Sequence, residues 1–316
     1  MIGDWLLATG EGPRPRLKIA MTGASGLIGS ALSHLLSSCG HDVRPMVRRE
    51  ANFQNGEIHW DPAQRFDTRP LEGLDALVHL AGESISTSRW TKDFKERIRH
   101  SRVAGTRAIA EALASLERPP KALICASAVG FYGNRGDEEI TESSARGKGF
   151  LADVCSAWEE AAEPARRKGI RVVHLRLGVV LAAKGGALPR MIAPFRFGLG
   201  GPVGNGRQWM SWISLKDAAG AFHAALMDER LEGAVNAVAP NPVTNRNFTK
   251  ALAKLLRRPA FVPLPAFAVK LVLGEMGRAL LLDSCRAVPT RLLETNFRFL
   301  APTIEEALSA ELGKNC

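Results

Sequence analysis

Eight consecutive residues near the amino end, Thr22-Gly23-Ala24-Ser25-Gly26-Leu27-Ile28-Gly29, place three glycines at G-x-x-G-x-x-G spacing. That spacing suits a pyrophosphate. Gly23 permits a tight turn, Gly26 lets bare backbone approach the phosphates, and Gly29 lets a helix pack closely on the preceding strand. Ser25, Leu27 and Ile28 complete the cradle, and the first amides of the helix, which have no partner inside it, favour negative charge. Such a turn works only between a strand and a helix. Residues 17–22 form a short apolar run and residues 27–36 carry apolar side chains at helical spacing, so the sequence predicts both.

About 20 residues after such a turn, an acidic residue would bind a ribose 2′-hydroxyl. Here the predicted second strand ends Met46-Val47-Arg48-Arg49. Two guanidinium groups at this place fit a 2′-phosphate, which makes NADP the expected cofactor rather than NAD. The plain alternative for both is a solvated basic pair.

The elements that must hold these residues follow in regular alternation. Residues 41–47 and 74–80 read as strands, the latter ending in Ala81-Gly82, and residues 97–116 read as a helix stopped by Pro119-Pro120. Residues 122–126 read as a strand, 158–168 as a helix, and 171–181 as a β-rich run interrupted by Arg176. This predicts an α/β fold with a Rossmann-type doubly wound parallel sheet, helices covering both faces. Glycines and prolines crowd residues 182–206, where a long mobile loop is expected. The domain expectation is a leader at 1–16, a dinucleotide-binding domain at 17–181 to which 209–239 returns, and a smaller, partly discontinuous substrate-side domain at 182–208 and 240–316.

Composition narrows the function. Lys and Arg number 42 against 32 Asp and Glu, a net charge of +10, but the basic residues are dispersed and lack interleaved aromatics. Nucleic acid is therefore an unlikely partner. With 30 of those 42 being Arg, small anionic molecules are the expected substrates or effectors. Five cysteines without a C-x-x-C pair suggest neither disulfides nor a zinc site, and no histidine spacing suggests another metal. No apolar run is long enough to span a membrane. A cytoplasmic protein is expected, and a homo-oligomer is compatible with it.

Taken together, several motifs resemble the extended short-chain dehydrogenase/reductase superfamily and its NAD-dependent epimerase/dehydratase group. They are TGASGLIG at 22–29, LDALVHLAGE at 74–83, VAGT at 103–106, ICASAVGFYG at 124–133 and LRLGVV at 175–180. RFGLGGPVGNGRQWMSWISLKD at 196–217 and RRPAFVPLP at 257–265 are similar to the branch called epimerase family proteins, or YfcH-like proteins. The resemblance implies that Leu80, Ala81 and Gly82 line the adenine and ribose side of the cofactor, and that Val180 lies in the segment at the nicotinamide end, with core packing as its alternative. Arg102 stands where relatives carry Asn, and either reaches the cofactor phosphates or lies on a helix surface.

Relatives use a Tyr and a Lys four residues later for acid-base work beside the hydride carrier. This chain departs from them. Its one tyrosine, Tyr132, is followed four residues on by Gly136, and alignment on Trp158-Glu159 puts Leu151 and Cys155 at the pair's positions. Glu83 and Ser127, on loops at the carboxyl edge of the sheet, are the candidate catalytic groups. Asp217 reads as structural at the start of a helix. Two functions follow: an oxidoreductase or epimerase with an altered acid-base set, acting on a small anionic or nucleotide-linked substrate, or a non-catalytic NADP(H)-binding redox sensor or regulatory protein.

Overall fold

The computed structural model describes residues 15–64 and 66–313. All but the last two residues of the expected leader, and Cys316, lie outside the described residues. Strand β1 (Lys18–Thr22) is buried from Ile19 onward and enters helix α1 (Leu27–Ser38) through the glycine turn. Helix α1 buries Gly29, Leu32 and Leu36, whose spacing puts them on one stripe. Then come β2 (Asp42–Val47), β3 (Ile58–His59), β4 (Ala76–His79), helix α2 (Lys92–Ser115) and β5 (Ala122–Ala128). Helix α2 starts earlier than periodicity indicated, because Thr91 caps it by accepting from the Phe94 amide at 3.2 Å.

Short β6 (Glu139–Ile140) precedes helices α3 (Phe150–Glu160) and α4 (Glu163–Arg167). The sequence suggested one helix at 158–168. Pro164 lacks the amide that would continue the first and opens the second instead. Strands β7 (Arg171–Leu177) and β8 (Val179–Leu181) follow. The expected mobile loop holds a helix, α5 (Leu188–Arg196), with Pro189 in its first turn, where a missing amide costs nothing. Its Leu188, Ile192 and Phe195 are buried against Trp212, Phe248 and Leu252, so tertiary packing overrides the glycine- and proline-rich composition.

The remaining elements are β9 (Trp209–Met210), β10 (Trp212–Ser214), α6 (Leu215–Met227), β11 (Gly233–Ala237), β12 (Val243–Thr244), α7 (Asn245–Leu256), α8 (Ala266–Gly277), β13 (Arg286–Ala287), α9 (Thr290–Glu294) and α10 (Ile304–Leu312). A π-helical turn, Arg278–Leu282, continues α8.

Seven strands form one parallel sheet in the order β11-β7-β5-β4-β1-β2-β3. This is the doubly wound α/β fold. Ile19, Met21, Val78, Ile124 and Val173 project to the face packed by α1 and α6, and Ala20, Leu77, Leu123 and Val172 to the face packed by α2. Burial on both faces explains why these strands read as continuous apolar runs rather than alternating ones. The order reverses between β1 and β4, and there the sheet opens a crevice at the carboxyl ends of its strands.

Candidate functional site

The glycine turn lies at that crevice. Gly23 has φ of +68°, and a Cβ on it would come within 3.0 Å of the Leu80–Ala81 backbone. At Gly29 a Cβ would lie 2.1 Å from the Gly23 carbonyl oxygen, so helix and turn can touch only without a side chain. Gly26 differs from both. It has ordinary extended dihedrals, is exposed, and a Cβ there would meet only the Gly23 oxygen at 3.2 Å. Gly26 is also the N-cap of α1, with no side-chain cap and no acidic residue in the first turn. The start of α1 thus offers bare amides that no side chain among the described residues caps, which is what an anion requires. Ser25 beside it is exposed, while Ile28 packs on the core. Leu27 touches the loop after β8, since Cβ atoms at Gly185 and Gly186 would meet its methyls at 3.4 and 3.0 Å.

Thr22 ties the turn to the end of β4. Its Oγ1 accepts from the amides of Leu80 (3.1 Å) and Ala81 (3.3 Å) and lies 2.8 Å from His79 Nδ1. Two accepted bonds leave Thr22 as the donor to His79. That ring is fully buried, and burial pushes its pKa down to about 4, so it stays neutral as an acceptor. The sequence reading missed Thr22 and His79, although Thr22 directly precedes the first glycine. Leu80, Ala81 and Gly82 are thereby fixed opposite Gly23.

Arg102 lies over the same place. Its side chain is 3.6 Å from where a Cβ on Gly82 would be, its Nη1 donates to the Ile98 carbonyl at 3.2 Å, and its guanidinium is 5.1 Å from the Trp158 ring. Burial lowers its pKa, while neighbouring Cys155 and Glu83 act the other way. Arg102 is thus a half-buried cation on α2 with its guanidinium beside Gly82. Glu83 follows immediately, half-buried, its amide bonded to Ser101 Oγ at 3.2 Å and its carboxylate 3.4 Å from Arg97 Nε.

At the end of β2 the two arginines separate. Arg49 is bidentate to Glu57, at 2.7 and 2.6 Å, in an ion pair that holds the β2–β3 loop while its side chain stays 64% exposed. Arg48 is exposed and has no ion pair or hydrogen bond among the described residues. Val180 lies in β8, which pairs in parallel with β10, and it packs partly on the core near the Gly185–Gly186 loop.

Ser127 lies within β5 and not on a loop. It is 2% exposed and donates to Glu159 Oε1 at 2.7 Å, because it shares a sheet face with Arg176 and Asn236, its register neighbours on β7 and β11. Glu159 in turn takes a two-pronged bond from Arg176, at 2.8 and 2.7 Å. Arg176 Nη1 donates to the Tyr132 hydroxyl at 2.9 Å, and Tyr132 donates to Asn236 Oδ1 at 2.7 Å. Burial pushes Tyr132 up to about 12, so the lone tyrosine is a poor acid near neutrality. The one legible signal of this network was Arg176 itself, a charge inside an apolar strand.

Leu151 and Cys155, at the positions of the missing pair, sit on α3 against Gly130, where a Cβ would lie 3.1 Å from Leu151 Cβ and 3.8 Å from Cys155 Sγ. Burial raises the Cys155 thiol to about 12, so it supplies no nucleophile or base. Asp217 is structural: its amide bonds to the Ser214 cap at 3.0 Å and its carboxylate accepts from the amides of Leu300 and Ala301 at 2.7 and 3.1 Å. No group of three or more potential metal ligands occurs among the described residues, and no described helix is long and apolar enough to cross a membrane.

A bare glycine turn at the switch point of a seven-stranded parallel sheet defines a dinucleotide-binding fold of the Rossmann type. Residues 19–237 match the model of the NAD dependent epimerase/dehydratase family, and the chain belongs to that family; residues 264–311 match a domain of unknown function, DUF1731. It is 44% identical over 293 residues to Epimerase family protein ML0860 of Mycobacterium leprae, covering 92% of this chain and 94% of that one. The crystal structure of human epimerase family protein SDR39U1 with NADPH superposes with a TM-score of 0.85 at 34% identity, over 94% of this chain and 99% of that one. The nucleoside-diphosphate sugar epimerase of Corynebacterium glutamicum superposes at 0.80 with 39% identity over 95% of this chain, which spans only 59% of that protein's length.

Proposed function

We propose that the protein binds NADP(H) and acts as an oxidoreductase or epimerase on a small anionic or nucleotide-linked substrate, without the Tyr and Lys pair of its superfamily. The uncapped, exposed backbone at Gly26 carries this reading, with Gly23 of the same turn against Leu80 and Ala81 and the half-buried Arg102 beside Gly82. The α1 amides and Arg102 hold the pyrophosphate, Arg48 the 2′-phosphate, Leu80 and Ala81 the adenosine side, and Val180 flanks the nicotinamide. The human relative crystallised with NADPH supports the choice of cofactor. The sugar-nucleotide epimerase relative supports a nucleotide-linked substrate. Residues 182–208 and 240–313 form the substrate-side lobe.

The nicotinamide supplies hydride exchange when bound. Glu83, at the carboxyl edge of β4 and open enough to meet a ligand, takes the role of the proton-handling group. Once turnover is measured, Glu83→Gln should lose about 10²-fold or more in kcat, the usual scale for an acid-base group, and Tyr132→Phe should keep most of it. The reverse ranking would remove Glu83 from the mechanism.

Cofactor choice is tested by calorimetry. Arg48→Asp removes one charge-assisted contact and adds repulsion, so NADPH should bind about 10- to 100-fold more weakly while NADH changes far less. Equal weakening of both would show that Arg48 does not read the 2′-phosphate.

A second reading, a non-catalytic NADP(H) sensor, draws on the inert Leu151 and Cys155 and the deeply buried Tyr132. Saturable NADPH binding without oxidation or epimerisation of any member of a sugar-nucleotide panel would favour it.

A further inference from the structure

On the side of the C-terminal lobe, residues 204–208, helix α8 with its π-helical turn, and residues 134–137 line an open cleft of about 480 Å³. That volume suits a small metabolite. The walls are tied to one another. Gln208 Nε2 donates to the carbonyls of Val203 and Leu281, at 3.0 and 2.9 Å, joining the loop to the π-helical turn. Ser284 takes up the third wall: its amide donates to Asn134 Oδ1 at 3.0 Å, and its hydroxyl donates to the Gly136 carbonyl at 2.6 Å. The cleft is therefore a cross-braced feature and not a gap between loops.

Its charges do not balance. Three cations line it, Arg207, Lys270 and Arg278, against two carboxylates, Asp137 and Asp283. Arg278 lies 3.6 Å from Asp283, and Asp137 accepts from the Trp209 indole at 2.9 Å. The side chains of Arg207 and Lys270 have neither an ion pair nor a hydrogen bond among the described residues. Two unpaired cations come from chain segments over 60 residues apart and converge on one cleft, whose ionisable lining carries a net charge of +1 and so favours an anionic group. A guanidinium with an ammonium is a combination suited to phosphate oxygens.

We propose that this cleft binds the phosphate portion of a small phosphorylated ligand through Arg207 and Lys270, with Arg278 in support. The inference rests on the proposed function for its connection to turnover, because it gives the anionic substrate a place to be held. Binding itself does not depend on that reading.

The test is calorimetric titration of inorganic pyrophosphate into protein saturated with NADPH, so that the glycine turn is already filled. Pyrophosphate should bind, and Arg207→Gln/Lys270→Gln should weaken it at least about tenfold while leaving NADPH affinity unchanged. Absence of binding to the NADPH-saturated protein, or equal binding by the double variant, overturns the proposal. Circular dichroism establishes that the double variant is folded, and either single variant serves if it is not. Should NADPH fail to bind at all, the same titration on Gly26→Val separates the two ideas. Pyrophosphate binding that survives Gly26→Val and is lost on removing Arg207 and Lys270 upholds the cleft without the cofactor reading.

Discussion

Arg176→Met should lower the free energy of unfolding by about 3–5 kcal/mol, the cost of leaving a buried charge without its partner. The side chain of Arg176 is 6% exposed and that of Glu159 13%, and the guanidinium also lies 3.5 Å from the centre of the Phe131 ring. Removing it strands Glu159 and takes a donor from the Tyr132 hydroxyl. A lysine cannot replace it, because one ammonium does not reproduce the fork that spans both Glu159 oxygens and Tyr132. The double variant Arg176→Met/Glu159→Gln should recover part of the loss, since no unpaired charge is then buried. Urea unfolding of the three proteins measures this. A loss below about 1 kcal/mol in the single variant would mean that water reaches Glu159 and that the network is not a structural tie.

Gly26→Val should abolish most NADPH binding with little effect on folding. The residue has extended dihedrals open to any side chain, and within the protein its Cβ meets only one carbonyl oxygen, at 3.2 Å. The fold asks only that the Gly23 carbonyl give by a few tenths of an ångström. A branched side chain instead stands where phosphates must meet the α1 amides, and losing two such charge-assisted bonds corresponds to a fall of at least about 100-fold in affinity. Gly29→Ala makes the contrast, because a Cβ 2.1 Å from the Gly23 oxygen must push turn and helix apart and should lower Tm. Calorimetry and thermal melts on both variants separate the roles. Unchanged NADPH affinity in Gly26→Val would remove the turn from the cofactor site.

The glycine turn was legible because its pattern is local: strand, turn and helix are consecutive, although the close approach of Gly23 to Leu80 and Ala81 shows only in the fold. Strand positions were legible for a related reason, since a sheet buried on both faces must be built from apolar runs. Arg48 and Arg49 mark where local reading stops. They are adjacent and alike in sequence, yet only Arg49 meets Glu57, and that depends on how the β2–β3 loop folds back. Helix α5 was hidden in a stretch rich in glycine and proline, where a buried stripe supplied by α7 and β10 outweighs composition.

From the sequence alone came the doubly wound fold, the nucleotide turn, and the absence of a usable Tyr and Lys pair, all of which depend on residue type at short spacing. Only the tertiary structure decided which charges are available. It turned Ser127 inward to Glu159, engaged Tyr132 with Arg176 and Asn236, brought Arg102 over Gly82, and left Arg207 and Lys270 facing one cleft. Their partners lie tens to more than a hundred residues away along the chain. A polar side chain's chemistry is set by its burial and by the groups it meets, and those are properties of packing that spacing along the chain does not carry.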